Sequence, residues 1–168
     1  DQEQSACEVE LFLPEELKHF QLATGLTSKS LVKGRFTLKA ESYDQLIDSP
    51  FELAEQTRFS FEANAIAHEF VVSGQHQTNV ERLKSDLTKI CETEIAIFGS
   101  APFKNYTFMT MATGNSYGGL EHCNSTSLIT PRNDLPKANE PEEPSEDYQR
   151  FLGLCSHEYF HSWLVKFI

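Results

Sequence analysis

Between Tyr148 and Phe167 the chain runs with Gly153 as its single helix breaker, and Phe151, Leu152, Leu154, Cys155, Tyr159, Phe160, Trp163, Leu164 and Phe167 recur around nearly the whole of a 3.6-residue turn. Such a run predicts a helix buried on all sides. Inside it lies His157-Glu158-Tyr159-Phe160-His161, the pattern H-E-x-x-H. On a helix, positions i and i+4 share one face, so both imidazoles can reach one metal ion. Glu158 stands about 100° round from His157, beside such an ion without binding it, where it can take a proton from water. Two imidazoles and a carboxylate in low dielectric need partners. A metal meets that need; the alternative is a core helix whose histidines bond to backbone carbonyls.

With 168 residues, the chain has room for one large domain or two small ones. A net charge of −11 and a pI near 4.9 argue against nucleic acid or an anionic membrane as partner. No run approaches 18 apolar residues, so no transmembrane helix is expected, and no signal peptide is visible. The first residue is Asp1 rather than Met, which leaves room for an upstream leader or domain. Cys7, Cys91, Cys123 and Cys155 form no C-x-x-C. They read as unpaired, mostly buried thiols, which favours a reducing, cytoplasmic compartment over a periplasmic one.

The first part of the chain reads as β-structure. Arg35 to Tyr43 alternates, with Phe36, Leu38 and Ala40 on one face, and Phe59 to Val72 reads as a second, longer alternating strand. Asp48-Ser49-Pro50 marks a turn. These pieces suggest the remainder of an antiparallel sandwich. The period then changes. Thr78 or Asn79 caps a predicted helix to about Ile97, on which Val80, Leu83, Leu87, Ile90 and Glu94 keep helical spacing and Gly99 is the stop. Tyr106 to Ala112 and Leu120 to Thr130 read as extended, and Pro131 to Ser145 as an exposed acidic loop. The expected class is α+β, with residues 1–75 as the end of a β domain and 76–168 as an α+β part.

Two motifs together carry a resemblance. One is Gly118-Gly119-Leu120-Glu121-His122 followed by Ser125-Thr126. The other is Phe151-Leu152-Gly153-Leu154 followed by Ser156 to Trp163 with H-E-x-x-H inside it. With Tyr43 to Leu53, they make the chain resemble the glycyl-aminopeptidase type of zinc metallopeptidase, bacterial enzymes that often carry a C-terminal PDZ domain. The resemblance spans roughly residues 43 to 166. It implies an N-terminal antiparallel β-sandwich followed by the first half of a thermolysin-like (gluzincin) catalytic domain. It implies Zn2+ held by His157 and His161, Glu158 as general base and later acid, and Glu121 with Gly118 and Gly119 at the substrate. Glu121 matches the group that holds a peptide's free α-amine. The third zinc ligand in this family is a Glu on a later helix, so the chain is expected to be an inactive fragment of a longer enzyme.

Departures from the family pattern are Leu164, where Asn is usual, and Phe167, where Arg is usual. They motivate a competing reading, a non-catalytic binding or assembly module with a decayed metal site. A further alternative is a deformylase-like site in which Cys123 joins the two histidines. His122 reads as structural, His19, His68 and His76 as residues without a role, Cys155 as a core thiol, and Glu146 as a remote ligand candidate. Trp163, Leu164 and Phe167, left without cover, are expected to pair two copies of the chain through this helix.

Overall fold

In the computed structural model, which describes residues 4–139 and 141–165, the alternation at Phe36, Leu38 and Ala40 gives β4 (Arg35–Ala40) with its apolar members buried. It lies antiparallel between β1 (Cys7–Phe12) and β3 (Thr27–Val32). A two-stranded antiparallel ribbon joins β2 (Gln21–Thr24) and β5 (Phe51–Ala54). Leu22, Leu26, Phe36, Leu38 and Ala40 form one small core, with Val9, Leu46 and Leu53 packed on it. Between β4 and β5 runs α1 (Tyr43–Ile47), whose N-cap Ser42 accepts from the Gln45 N–H at 3.1 Å.

The stretch read as one long strand is a hairpin. β6 (Gln56–Ala63) and β7 (Ile66–Ser73) pair antiparallel across Asn64 and Ala65, both at positive φ (48° and 62°). Two such residues give the turn whose twist matches a tight hairpin. Leu120 to Thr130 is likewise two strands, β9 (Gly118–Glu121) and β10 (Ser125–Pro131), paired antiparallel. With β8 (Asn105–Thr113) these strands build a five-stranded sheet in the order β6-β7-β8-β10-β9, in which β8 runs parallel to both β7 and β10. The sheet is therefore mixed, and β6 and β7, read with the N-terminal β part, are hydrogen-bonded into it. The expected division at residue 75 falls within the β7–β8 crossover of this sheet.

That crossover is α2 (Val80–Phe98), capped by the Asn79 side chain and stopped by Gly99 in the left-handed conformation, as the sequence reading expected. α3 (Glu146–Leu164) is capped by Ser145, with Glu146 and Asp147 in its first turn. Both helices cover one face of the sheet. Phe61, Phe70, Tyr106, Phe108, Leu83, Leu87, Phe151 and Tyr159 belong to the core between them. Ala23, from β2, packs behind the sheet on Val71 and Met109. Two features differ from expectation. Gly153, His157 and Leu164 are exposed, so α3 is buried on one face only. The stretch after Pro131 is not all exposed, since Asp134 and Leu135 are buried. No helix among the described residues is long and apolar enough to cross a membrane.

Candidate functional site

The buried face of α3 repeats at Tyr148, Phe151, Cys155, Glu158/Tyr159 and Ser162, the spacing of one helical stripe. Contacts hold the helix along its length. Tyr148 Oη donates to Asp86 Oδ2 at 3.1 Å, and the Arg150 guanidinium meets buried Asp134 at 2.7 Å. Tyr117 Oη donates to the Arg150 carbonyl at 3.1 Å, which ties the loop before β9 to α3. Tyr159 Oη lies 2.8 Å from His68 Nε2, and Trp163 Nε1–H donates to the Ser100 carbonyl at 2.8 Å. Ser156 Oγ donates to Glu94 Oε1 at 2.6 Å.

On a helix fixed this way, the two histidines of the H-E-x-x-H pattern face each other. Their Nε2 atoms are 2.9 Å apart and their rings stand at 85°. That is hydrogen-bond distance between the two rings; two nitrogens bound to one tetrahedral zinc at about 2.0–2.1 Å would lie about 3.3 Å apart, so the rings need part by only about 0.4 Å to share an ion. His161 is partly buried, and its Nδ1 is a buried atom without a hydrogen bond. Glu158 is 5% exposed and points at β9. Burial pushes its carboxyl above the ordinary carboxylate value; the imidazoles of His157 and His161 pull it back, and the Glu121 carboxylate adds to the rise.

Glu121 and Gly119 come from β9, the edge strand of the sheet beside α3. In the β9–β10 register Gly119 stands opposite Leu128 and Glu121 opposite Thr126, so both share the face covered by the helices. Glu121, Glu158 and His161 each place one possible ligand atom within 4.8 Å of the others. Gly118, one residue off in the alternation, lies on the reverse face. There it lines an apolar groove with Met109, Met111, Leu120 and Ile129.

The other sequence candidates lie elsewhere or do other things. Cys123 sits in the β9–β10 turn, where its N–H donates to Asp48 Oδ2 at 2.8 Å; it is not in the Glu121–Glu158–His161 group. Asp48 also approaches His122 Nδ1 at 3.5 Å, so His122 serves the contact between α1's end and the β9–β10 turn. Glu146 begins α3, about 16 Å from His157 by helical rise. Cys155 is a fully buried thiol, as expected, pushed upward by burial. Exposed His19 meets Glu55 at 3.4 Å, and His76 meets Thr78 Oγ1 at 2.8 Å. Trp163 is covered by stacking on Phe98 at 4.8 Å, while Leu164 remains 43% exposed; Phe167 lies outside the described residues. The sequence reading left His68 without a role and gave Glu94 none beyond its helical spacing, yet both are buried. Glu94 kept the spacing of an apolar helix face, which was a signal of burial.

Fold and motif together define an α+β chain with several sheets that matches the N-terminal part of aminopeptidase structures. Residues 1–55 match the Peptidase M61 N-terminal domain, and through it the chain is related to the glycyl-aminopeptidase family that its motifs resemble. The chain superposes on the crystal structure of the aminopeptidase N family protein from Idiomarina loihiensis with a TM-score of 0.91. The two are 46% identical over 96% of this chain and 28% of that one. An M1 zinc metallopeptidase from Deinococcus radiodurans shares the fold at a TM-score of 0.58 and 11% identity, over 95% of this chain and 34% of that one. The chain thus spans about a third of the length of these structures. A comparison with curated proteins finds no significant match.

Proposed function

We propose that this chain is the part of a zinc-dependent aminopeptidase that supplies two imidazole ligands, the general base and the amine anchor. The observation that carries the reading is the convergence of His157, Glu158 and His161 on α3 with Glu121 on β9. The relation to an aminopeptidase N family protein at 46% identity supports it. His157 and His161 would hold Zn2+ through Nε2, with a third ligand, a Glu, from outside the 168 residues. When bound, the ion supplies Lewis acidity toward the scissile carbonyl and toward water.

The chain's own residues then divide the work. Glu158, with its proton affinity raised by burial, takes a proton from the attacking water and hands it to the leaving amine. Glu121 pairs with the ammonium of a peptide's first residue. Because Glu121 stands beside Glu158, the bond brought to the base is the first peptide bond. The substrate is a peptide with a free N-terminus, and the 168 residues alone have little or no activity. In the full-length protein, Glu158→Gln is expected to keep zinc and lose turnover of amino-acid arylamides by about 100-fold or more. Undiminished turnover in that variant would overturn the assignment of the base.

A further inference from the structure

Gly119 is an interior strand residue, and neither it nor Gly118 adopts a positive φ. The backbone therefore needs no glycine at either place, and a strand-interior glycine weakens a strand. What distinguishes Gly119 is its neighbour. A Cβ on Gly119 would lie 2.6 Å from both Cγ and Cδ of Glu158, closer than real side chains pack. A Cβ on Gly118 would meet only Ile129 Cγ2, at 4.0 Å. The Glu158 carboxyl stem thus occupies the space that any other residue at 119 would fill. Glu158 is 5% exposed in a packed face of α3, so its stem has little room to retreat.

We infer that Gly119 is a positioning residue for Glu158: the missing side chain on the edge strand seats the carboxylate against β9, beside Glu121 and His161. This gives Gly119 a role distinct from contact with substrate, and its catalytic consequence rests on the aminopeptidase reading above. A methyl at 119 forces the stem outward and carries the carboxylate away from its neighbours. Displacements of about 1 Å at a reacting group cost on the order of 100-fold in rate.

The test joins kinetics to structure. In the full-length protein, Gly119→Ala is expected to lower kcat about 100-fold, with KM changed less than about threefold. In a Glu158→Gln background it should have little further effect, because both changes disable one unit; a general disturbance of the fold would lower both backgrounds alike. Crystal structures of the 168-residue chain with and without Gly119→Ala should show the Glu158 carboxylate moved off β9. Undiminished kcat, additive losses in the two backgrounds, or an unmoved carboxylate would each overturn the inference. If the unaltered full-length protein has no turnover, the aminopeptidase reading falls while the displacement still decides the packing claim.

Discussion

Tyr159 Oη and His68 Nε2 lie 2.8 Å apart in the core, which joins the H-E-x-x-H helix to the β6–β7 hairpin. His68 is 2% exposed, and its Nδ1 reaches the Ile66 carbonyl at 2.9 Å. Burial drives its pKa from 6.5 down to about 4, only partly opposed by the Ile66 carbonyl. The unfolded chain therefore binds a proton at this residue first as pH falls. Stability from His68 is full above about 6.5 and is lost as pH drops toward about 4. At ~1.4 kcal/mol per unit, the loss is up to about 3 kcal/mol. Urea denaturation across this range should show that slope once Glu94 is replaced by Gln, and adding His68→Gln should flatten it. An unchanged slope in the variant would place the acid sensitivity elsewhere.

Glu94 works in the opposite direction. It is 6% exposed, Ser156 donates to one of its oxygens, and the other is buried without a partner. Burial raises its pKa from 4.5 to about 7, with the Ser156 hydrogen bond opposing. The folded chain holds this proton longer than the unfolded one, so stability falls as pH rises from about 4.5 to about 7. Between about 4.5 and 6.5 the two groups offset each other. Glu94→Gln, which keeps an acceptor for Ser156, should remove this decline and uncover the His68 slope. Identical profiles for the two proteins would contradict the assignment.

Glu121 carries the proposed selectivity for an amino terminus. A charge-assisted hydrogen bond contributes about 2 kcal/mol, so Glu121→Gln in the full-length protein should lower kcat/KM for arylamides about 30-fold. Zinc content should not change, because Glu121 is not assigned as a ligand. Equal kcat/KM in the two proteins would remove Glu121 from the substrate site, and a loss of zinc would make it a ligand instead.

Much of the helical part was legible. Asn79, Gly99 and the repeat of Leu83 and Leu87 define α2 because caps and a 3.6-residue stripe are local signals. The approach of His157 and His161 was legible for the same reason, since i and i+4 are neighbours on any helix. The strands were less so. Asn64-Ala65 is a weaker hairpin signal than Asn-Gly, and overlooking it shifted the parity of everything after it. The pairing Phe61↔His68 puts that histidine on the buried face, where simple alternation put it outside. The parallel pairing of β7 with β8 joins residues more than thirty apart and leaves no local trace. Nor does a strand glycine announce that a carboxylate from a helix fills its missing Cβ.

His157 and His161, whose Nε2 atoms lie 2.9 Å apart, are proposed to hold one divalent ion beside Glu158. Diffraction at the zinc absorption edge from zinc-soaked crystals of the chain tests it most directly. The account predicts one anomalous peak about 2.0–2.1 Å from Nε2 of both histidines. A peak elsewhere, or rings turned apart with no metal between them, would contradict it.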